Sequence, residues 1–164
     1  TEETFRFMKG ICINTTRQNF TRCRRMEQRM QYEIQIRDYM IGELLTTIPY
    51  SQLNGHPEQR LPNNINVSFQ FVDGGALLVM LDTLGICASG GSACTSASKE
   101  PSHVLKAIGL SDELARGTIR LTIGEETTKK DADYVIACIR ELVGGLREQS
   151  PFYEDYRSRM YAPD

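Results

Sequence analysis

Cys94 stands in a run with almost nothing to anchor it: Ala88, Ser89, Gly90, Gly91, Ser92, Ala93, Cys94, Thr95, Ser96, Ala97 and Ser98. No large side chain in that run can hold the backbone in a core, and ordering so many small residues costs conformational entropy. Residues 88–100 therefore read as a mobile loop. The thiolate of a cysteine is the nucleophile. On a mobile loop it can reach a substrate, take up a group and carry it elsewhere. Free cysteines are more often inert packing, and Cys87, after Leu84 and Ile86, reads that way. The polar, small-residue surroundings of Cys94 argue for the opposite. The second candidate is Arg120, a lone charge on an alternating strand whose other face is apolar. Its planar fork pairs bidentately with a carboxylate, and a strand holds the fork more rigidly than a loop would. An ordinary exposed strand arginine fits the pattern equally well.

The elements that must position these residues follow from periodicity. Met30, Ile34, Ile41, Leu44, Leu45 and Ile48 recur at helical spacing, and Pro49 ends that helix. Asn54, Gly55, His56 and Pro57 are turn chemistry, with His56 a loop residue. Ile65, Val67, Phe69 and Phe71 alternate as one face of a strand. The apolar run Ala76–Leu81 is Leu-rich and reads as a buried helix ended by Gly85. Ile86–Ala88 is a brief strand entering the loop. Pro101 opens a short helix to Ile108, and Ser111 caps another to Leu114. In the strand over residues 117–124, Ile119, Leu121 and Ile123 face one way, and Thr118, Arg120 and Thr122 the other. Thr127 or Thr128 caps the last long helix. Its inward stripe is Ala132, Val135, Ile136, Ile139, Leu142, Val143 and Leu146, with Cys138 beside it as packing. Residues 150–164 read as a polar, tyrosine-bearing tail. The expected architecture is α/β, a short sheet of about three to four strands packed with helices.

With 164 residues, 40% apolar and 24% charged, the chain has the composition of one soluble domain. A net charge of −2 gives no field that would draw nucleic acid or an anionic membrane. No apolar run is long enough to span a bilayer. Five cysteines without a secretory signal point to a reducing, cytoplasmic setting rather than a disulfide framework. No spacing suggests a metal site. Residues 1–25, with the basic patch Arg17, Arg22, Arg24 and Arg25, follow no clean period and read as a solvated, irregular segment. Residues 26–164 then form the domain.

The stretch from Ser89 to Leu105 resembles the active-site loop of cysteine desulfurases of the NifS and IscS type, in the class-V aminotransferase family. The strands over residues 61–69 and 117–124 resemble those that flank the loop in that family, and the likeness runs from about Met30 to Tyr156. It implies the small C-terminal domain of a fold-type I pyridoxal-phosphate enzyme. Such an enzyme removes sulfur from L-cysteine and leaves L-alanine. It implies that Cys94 takes the sulfur as a persulfide and that Arg120 binds the substrate α-carboxylate. It also implies a homodimer or association with a large-domain chain, and a sulfur-acceptor or iron–sulfur scaffold protein as partner. Thr1 resembles the threonine that reaches the cofactor phosphate of a neighbouring subunit.

The likeness fails between Glu2 and about Met26, where the family has an alanine-rich helix. Residues 3–25 then read as a shifted frame or a divergent splice. The family's cofactor lysine follows a histidine, and none of Lys9, Lys99, Lys106, Lys129 and Lys130 does. The expectation is that this chain alone binds no pyridoxal phosphate and is inactive without a large domain. The competing reading is a non-catalytic interaction module or persulfide relay that keeps the small-domain fold.

Overall fold

In the computed structural model, which describes residues 17–90 and 102–160, four antiparallel strands pair in the order β1-β2-β4-β3. They are β1 (Ser51–Leu53), β2 (Asn64–Phe69), β3 (Ser89–Gly90) and β4 (Thr118–Thr122). Paired residues of antiparallel strands point to the same face. Ile65 lies opposite Leu121 and Val67 opposite Ile119, so their side chains form one apolar face. Asn66 lies opposite Arg120 and Ser68 opposite Thr118, and these form the other face.

Three helices cover the apolar face: α1 (Arg17–Thr47), α2 (Gly74–Thr83) and α5 (Lys129–Glu148). Met40, Leu44 and Ile48 of α1, Leu77 and Leu81 of α2, and Ala132, Ile139 and Val143 of α5 are buried with Ile65, Val67, Phe69 and Ile119. Burial of aliphatic side chains at about 25 cal/mol per Å² is the main driving force here. Two short helices, α3 (His103–Ala107) and α4 (Asp112–Arg116), lie between the loop and β4, and α4 packs on β2.

The structure corrects the sequence reading in several places. α1 begins at Arg17 rather than near Met26, so residues 17–25 continue the helix. Its buried stripe includes Ile36 and Met40, whereas Met30, Ile34 and Leu45 stay partly exposed. β1 has three residues and no periodic signal of its own; it exists because Ser51–Leu53 pairs with Val67–Phe69. The strand before the loop lies at Ser89–Gly90 instead of Ile86–Ala88, because that is where the backbone meets β4. β2 stops at Phe69, since Phe71 takes a left-handed conformation at φ 64°.

Part of the tail is a further helix, α6 (Pro151–Met160). Tyr153 and Tyr156 of α6 pack against Tyr50 and Phe71 with ring centroids 5.1–6.5 Å apart. Tyr50 is left-handed too, at φ 54°. The buried Arg147 donates from Nε to the carbonyl of Gln70 at 3.0 Å and from Nη2 to that of Tyr50 at 3.3 Å. One side chain thus holds both turns. Burial pulls Arg147 below the ordinary guanidinium range.

Two contacts of the fold can be tested by stability. A Cβ on Gly117 would stand 2.1 Å from the carbonyl oxygen of Phe69, so no side chain fits where β2 meets the start of β4. Gly145 in α5 has nothing within 4 Å of that position. Urea unfolding should show Gly117→Ala strongly destabilised, and Gly145→Ala more stable by about 0.5–1 kcal/mol, the usual helix cost of glycine.

Thr128 caps α5 in a reciprocal box: its hydroxyl accepts from Asp131 N, and Asp131 accepts from Thr128 N at 2.8 Å. The hydroxyl and N–H of Thr128 hold the Asp131 carboxyl below its ordinary 3.8. A folded value below the unfolded one stabilises fully above the unfolded value, and that stabilisation is lost as pH falls through the folded value. The difference in Tm between the parent and Asp131→Asn should therefore shrink on acidification below about pH 4.

Candidate active site on the polar sheet face

Arg120 projects from the middle of β4 on the polar face, between its cross-strand partners Asn66 on β2 and Ser89 on β3. The alternation of β4 puts it there: Ile119 and Leu121 go to the core and Arg120 goes out. It is exposed, and among the described residues its contact is Nη2 donating to Ser89 Oγ at 3.4 Å. Ser89 in turn donates its own proton to the carbonyl of Gly90 at 3.1 Å, so toward Arg120 it acts as an acceptor. No acidic side chain pairs with Arg120 among the described residues, and among them the guanidinium charge is therefore without an anionic partner.

Next to this row runs a buried polar chain. Thr118 Oγ1 donates to the carbonyl of Leu114 at 3.0 Å, and Ser68 Oγ lies 2.6 Å from Thr118 Oγ1. Asn54 Nδ2 bonds Ser68 Oγ at 2.8 Å and Asn66 Oδ1 at 2.7 Å. Ser68 and Thr118 are 0% and 2% exposed and Asn54 4%, so these bonds lie away from water and carry full weight. None of these polar residues carried a periodic or motif signal as a site; only the outward side of each alternating strand could have suggested them.

Cys94 and the loop over residues 91–101 lie outside the described residues, as does Thr1. What the structure does place is the point where the chain enters the loop: Ser89 and Gly90 pair with Arg120 and Ile119. The remaining candidates resolve plainly. His56 is a loop residue whose Nδ1 accepts from the N–H groups of Glu58 and Gln59 at 3.0 and 2.9 Å. Cys138 is partly buried against the core as expected. Cys87 is exposed, contrary to the expectation of shielding. Ile86 and Ala88 pack on the core there, and Cys87 between them points out. A cavity of about 590 Å³ lies at α5 and α6, lined by Arg147, Glu148, Tyr153, Glu154, Arg157 and Ser158. It has mixed charge and does not include Arg120. No group of three or more histidine, cysteine or acidic side chains suited to a metal occurs among the described residues.

The family model for aminotransferase class V matches residues 17–135. The chain belongs to the class-V aminotransferase family. It is 47% identical over 126 residues to a cysteine desulfurase IscS of Methanosarcina thermophila, covering 76% of this chain and 31% of that protein. It is 45% identical over 139 residues to cysteine desulfurase 1 of Trichormus variabilis, covering 85% of this chain and 35% of that protein. The chain thus spans about a third of the length of the curated relatives it matches. A solved NifS-like protein superposes with a TM-score of 0.63 at 24% identity, covering 74% of this chain and 30% of the other. That likeness agrees with the α/β fold expected from the sequence.

The described lysines do not suit pyridoxal phosphate. Lys106, Lys129 and Lys130 are all exposed. Lys106 pairs with Asp112 at 3.2 Å and Lys129 with Asp133 at 3.4 Å. The Tyr39 hydroxyl beside Lys129 raises that amine above its ordinary range, the wrong direction for an amine that must condense with an aldehyde.

The exposures of the two described cysteines give a direct check. A brief, substoichiometric alkylation followed by peptide mass spectrometry should label Cys87 ahead of Cys138, since accessible thiols react first.

Proposed function

We propose that this chain is the sulfur-carrying part of a cysteine desulfurase. The observation that carries the reading is the β3–β4 pairing, which brings the chain segment leading to Cys94 beside Arg120, a residue with no acidic partner among the described residues. In this reading Arg120 holds the α-carboxylate of L-cysteine. The Cys94 thiolate attacks the substrate sulfur, so that an S–S bond forms as the substrate C–S bond breaks. The sulfur leaves as a persulfide on Cys94, and the carbon skeleton takes up a proton and departs as L-alanine. Atoms balance with no outside oxidant. Relatives of this family supply the electron sink with pyridoxal phosphate. The described lysines do not fit it, so the cofactor would be held outside the described residues, by a part that corresponds to the remaining length of such relatives. Transfer of the persulfide to an acceptor or iron–sulfur scaffold protein, dimerisation and a cytosolic setting belong to the same proposal.

A second reading is a non-catalytic module that keeps the fold; the described lysines, exposed and in part ion-paired, agree with it. The two separate in one experiment. The chain is combined with the cofactor-binding part of a relative and pyridoxal phosphate, given L-cysteine, then trapped with an alkylating agent. The desulfurase reading expects one extra sulfur atom on Cys94, lost in Cys94→Ser. Sulfur on no cysteine, with the complex formed, supports the module. In the active complex, Arg120→Ala should raise KM for L-cysteine about ten- to hundredfold with kcat largely kept, because the carboxylate is bound alike in ground and transition states.

A further inference from the structure

The buried polar chain beneath the sheet face fixes which way Asn66 presents its amide. The carbonyl of Leu114 can only accept, so Thr118, 3.0 Å away, spends its hydroxyl proton there. Ser68 must then give its own proton to Thr118 across 2.6 Å. With that proton committed, Ser68 can only accept from Asn54, which sets the Asn54 NH₂ toward it at 2.8 Å. The same NH₂ meets Asn66 at 2.7 Å, so the atom of Asn66 that faces it is Oδ1. The reverse setting of Asn54 would place its carbonyl against a Ser68 oxygen with no proton to offer. The setting has a cost: Asn54 Oδ1 is buried without a partner. A network that leaves an acceptor orphaned and still directs every proton one way determines what its last member exposes.

That last member is Asn66. With Oδ1 occupied, its Nδ2 protons have no acceptor among the described residues, and it stands on the same face as Arg120, its direct cross-strand partner. The row therefore offers a neutral donor beside a cation, with no carboxylate paired to either among the described residues. We propose that Asn66 is a second ligand of the substrate carboxylate, donating Nδ2–H to one oxygen while Arg120 takes the other. Asn54 is its positioning residue. This rests on the reading of Arg120 as the carboxylate-binding residue and adds to it. A carboxylate is the ligand class, since it accepts from both groups and a cation or neutral amide gains nothing beside Arg120.

The test uses the 164-residue chain labelled with ¹⁵N, following the Asn66 side-chain amide and the Arg120 Nε resonance during addition of L-alanine, and separately of L-alaninamide, which lacks the carboxylate. The expected result is a saturable shift of both resonances with L-alanine and neither with L-alaninamide. If Arg120 responds and Asn66 does not, this inference is overturned while the Arg120 reading stands. If neither responds, both fall. Asn66→Asp, similar in shape but an acceptor, should weaken L-alanine binding at Arg120 by about tenfold or more. Asn54→Asp offers only acceptors, so it should draw the Asn66 NH₂ inward and abolish the Asn66 response while the Arg120 signal survives. A persisting Asn66 response in that variant would remove Asn54 from the role. Should Asn54→Asp fail to fold, Asn66→Asp decides alone, and an unchanged affinity there overturns the proposal.

Discussion

The pairing of β2 with β4 is the constraint on which the rest of the molecule depends. Its register sets Ile65 and Val67 against Leu121 and Ile119, and Asn66 and Ser68 against Arg120 and Thr118. A slip by one residue would send the apolar set to the polar face and Arg120 into the core. The register is held at one end by the close approach of Gly117 to Phe69, whose N–H bonds the Gly117 carbonyl at 2.9 Å. At the other end the N–H of Ile123 bonds the carbonyl of Asn63 at 3.0 Å. Between them the three covering helices supply the burial that makes slippage costly.

Division of the sheet into two faces also divides the chemistry. The apolar face is complete within this chain: α1, α2 and α5 close it, and Tyr32 and Tyr39 of α1 tie that helix to Thr127 and to Asp133 of α5. The polar face is built differently. Ser68, Thr118 and the Asn54 NH₂ are paired within it by a directed run of hydrogen bonds, whereas among the described residues Arg120 has no acidic partner and the Asn66 NH₂ has no acceptor. Buried polar groups are costly unless paired, which is why Ser68 and Thr118 bond each other, whereas Arg120 is exposed and can keep its charge in water.

The place of this chain in its family fits that division. It matches about a third of the length of the desulfurases it resembles, and its described lysines, Lys106, Lys129 and Lys130, are exposed and do not suit an aldehyde cofactor. Its electrostatics are local. With a net charge of −2 the whole chain steers nothing, and the guanidinium at the sheet centre acts only at contact range.

The sequence alone was enough for the elements with strong local codes. The Leu-rich run at Ala76–Leu81 is a helix, Ser111 caps where a short hydroxyl precedes a helical turn, Thr128 is the one of the two threonines, Thr127 and Thr128, that caps the last long helix, and the alternation of β4 sends Arg120 outward. These follow from periods and caps that lie within a few residues of one another. The loop motif around Cys94 was legible in the same way and pointed to the family that the comparisons found. What tertiary structure decided is everything that depends on distant partners. β1 is a strand only because β2 lies beside it, and α6 packs only because Tyr50 and Phe71 sit far upstream. Cys87 points outward although its neighbours are apolar, because Ile86 and Ala88 on either side of it take the core-facing side of the chain. The orientation of Asn66 is the clearest case. It follows from a proton count that passes through Leu114, Thr118, Ser68 and Asn54, residues from four separate segments, and no window of sequence contains that count.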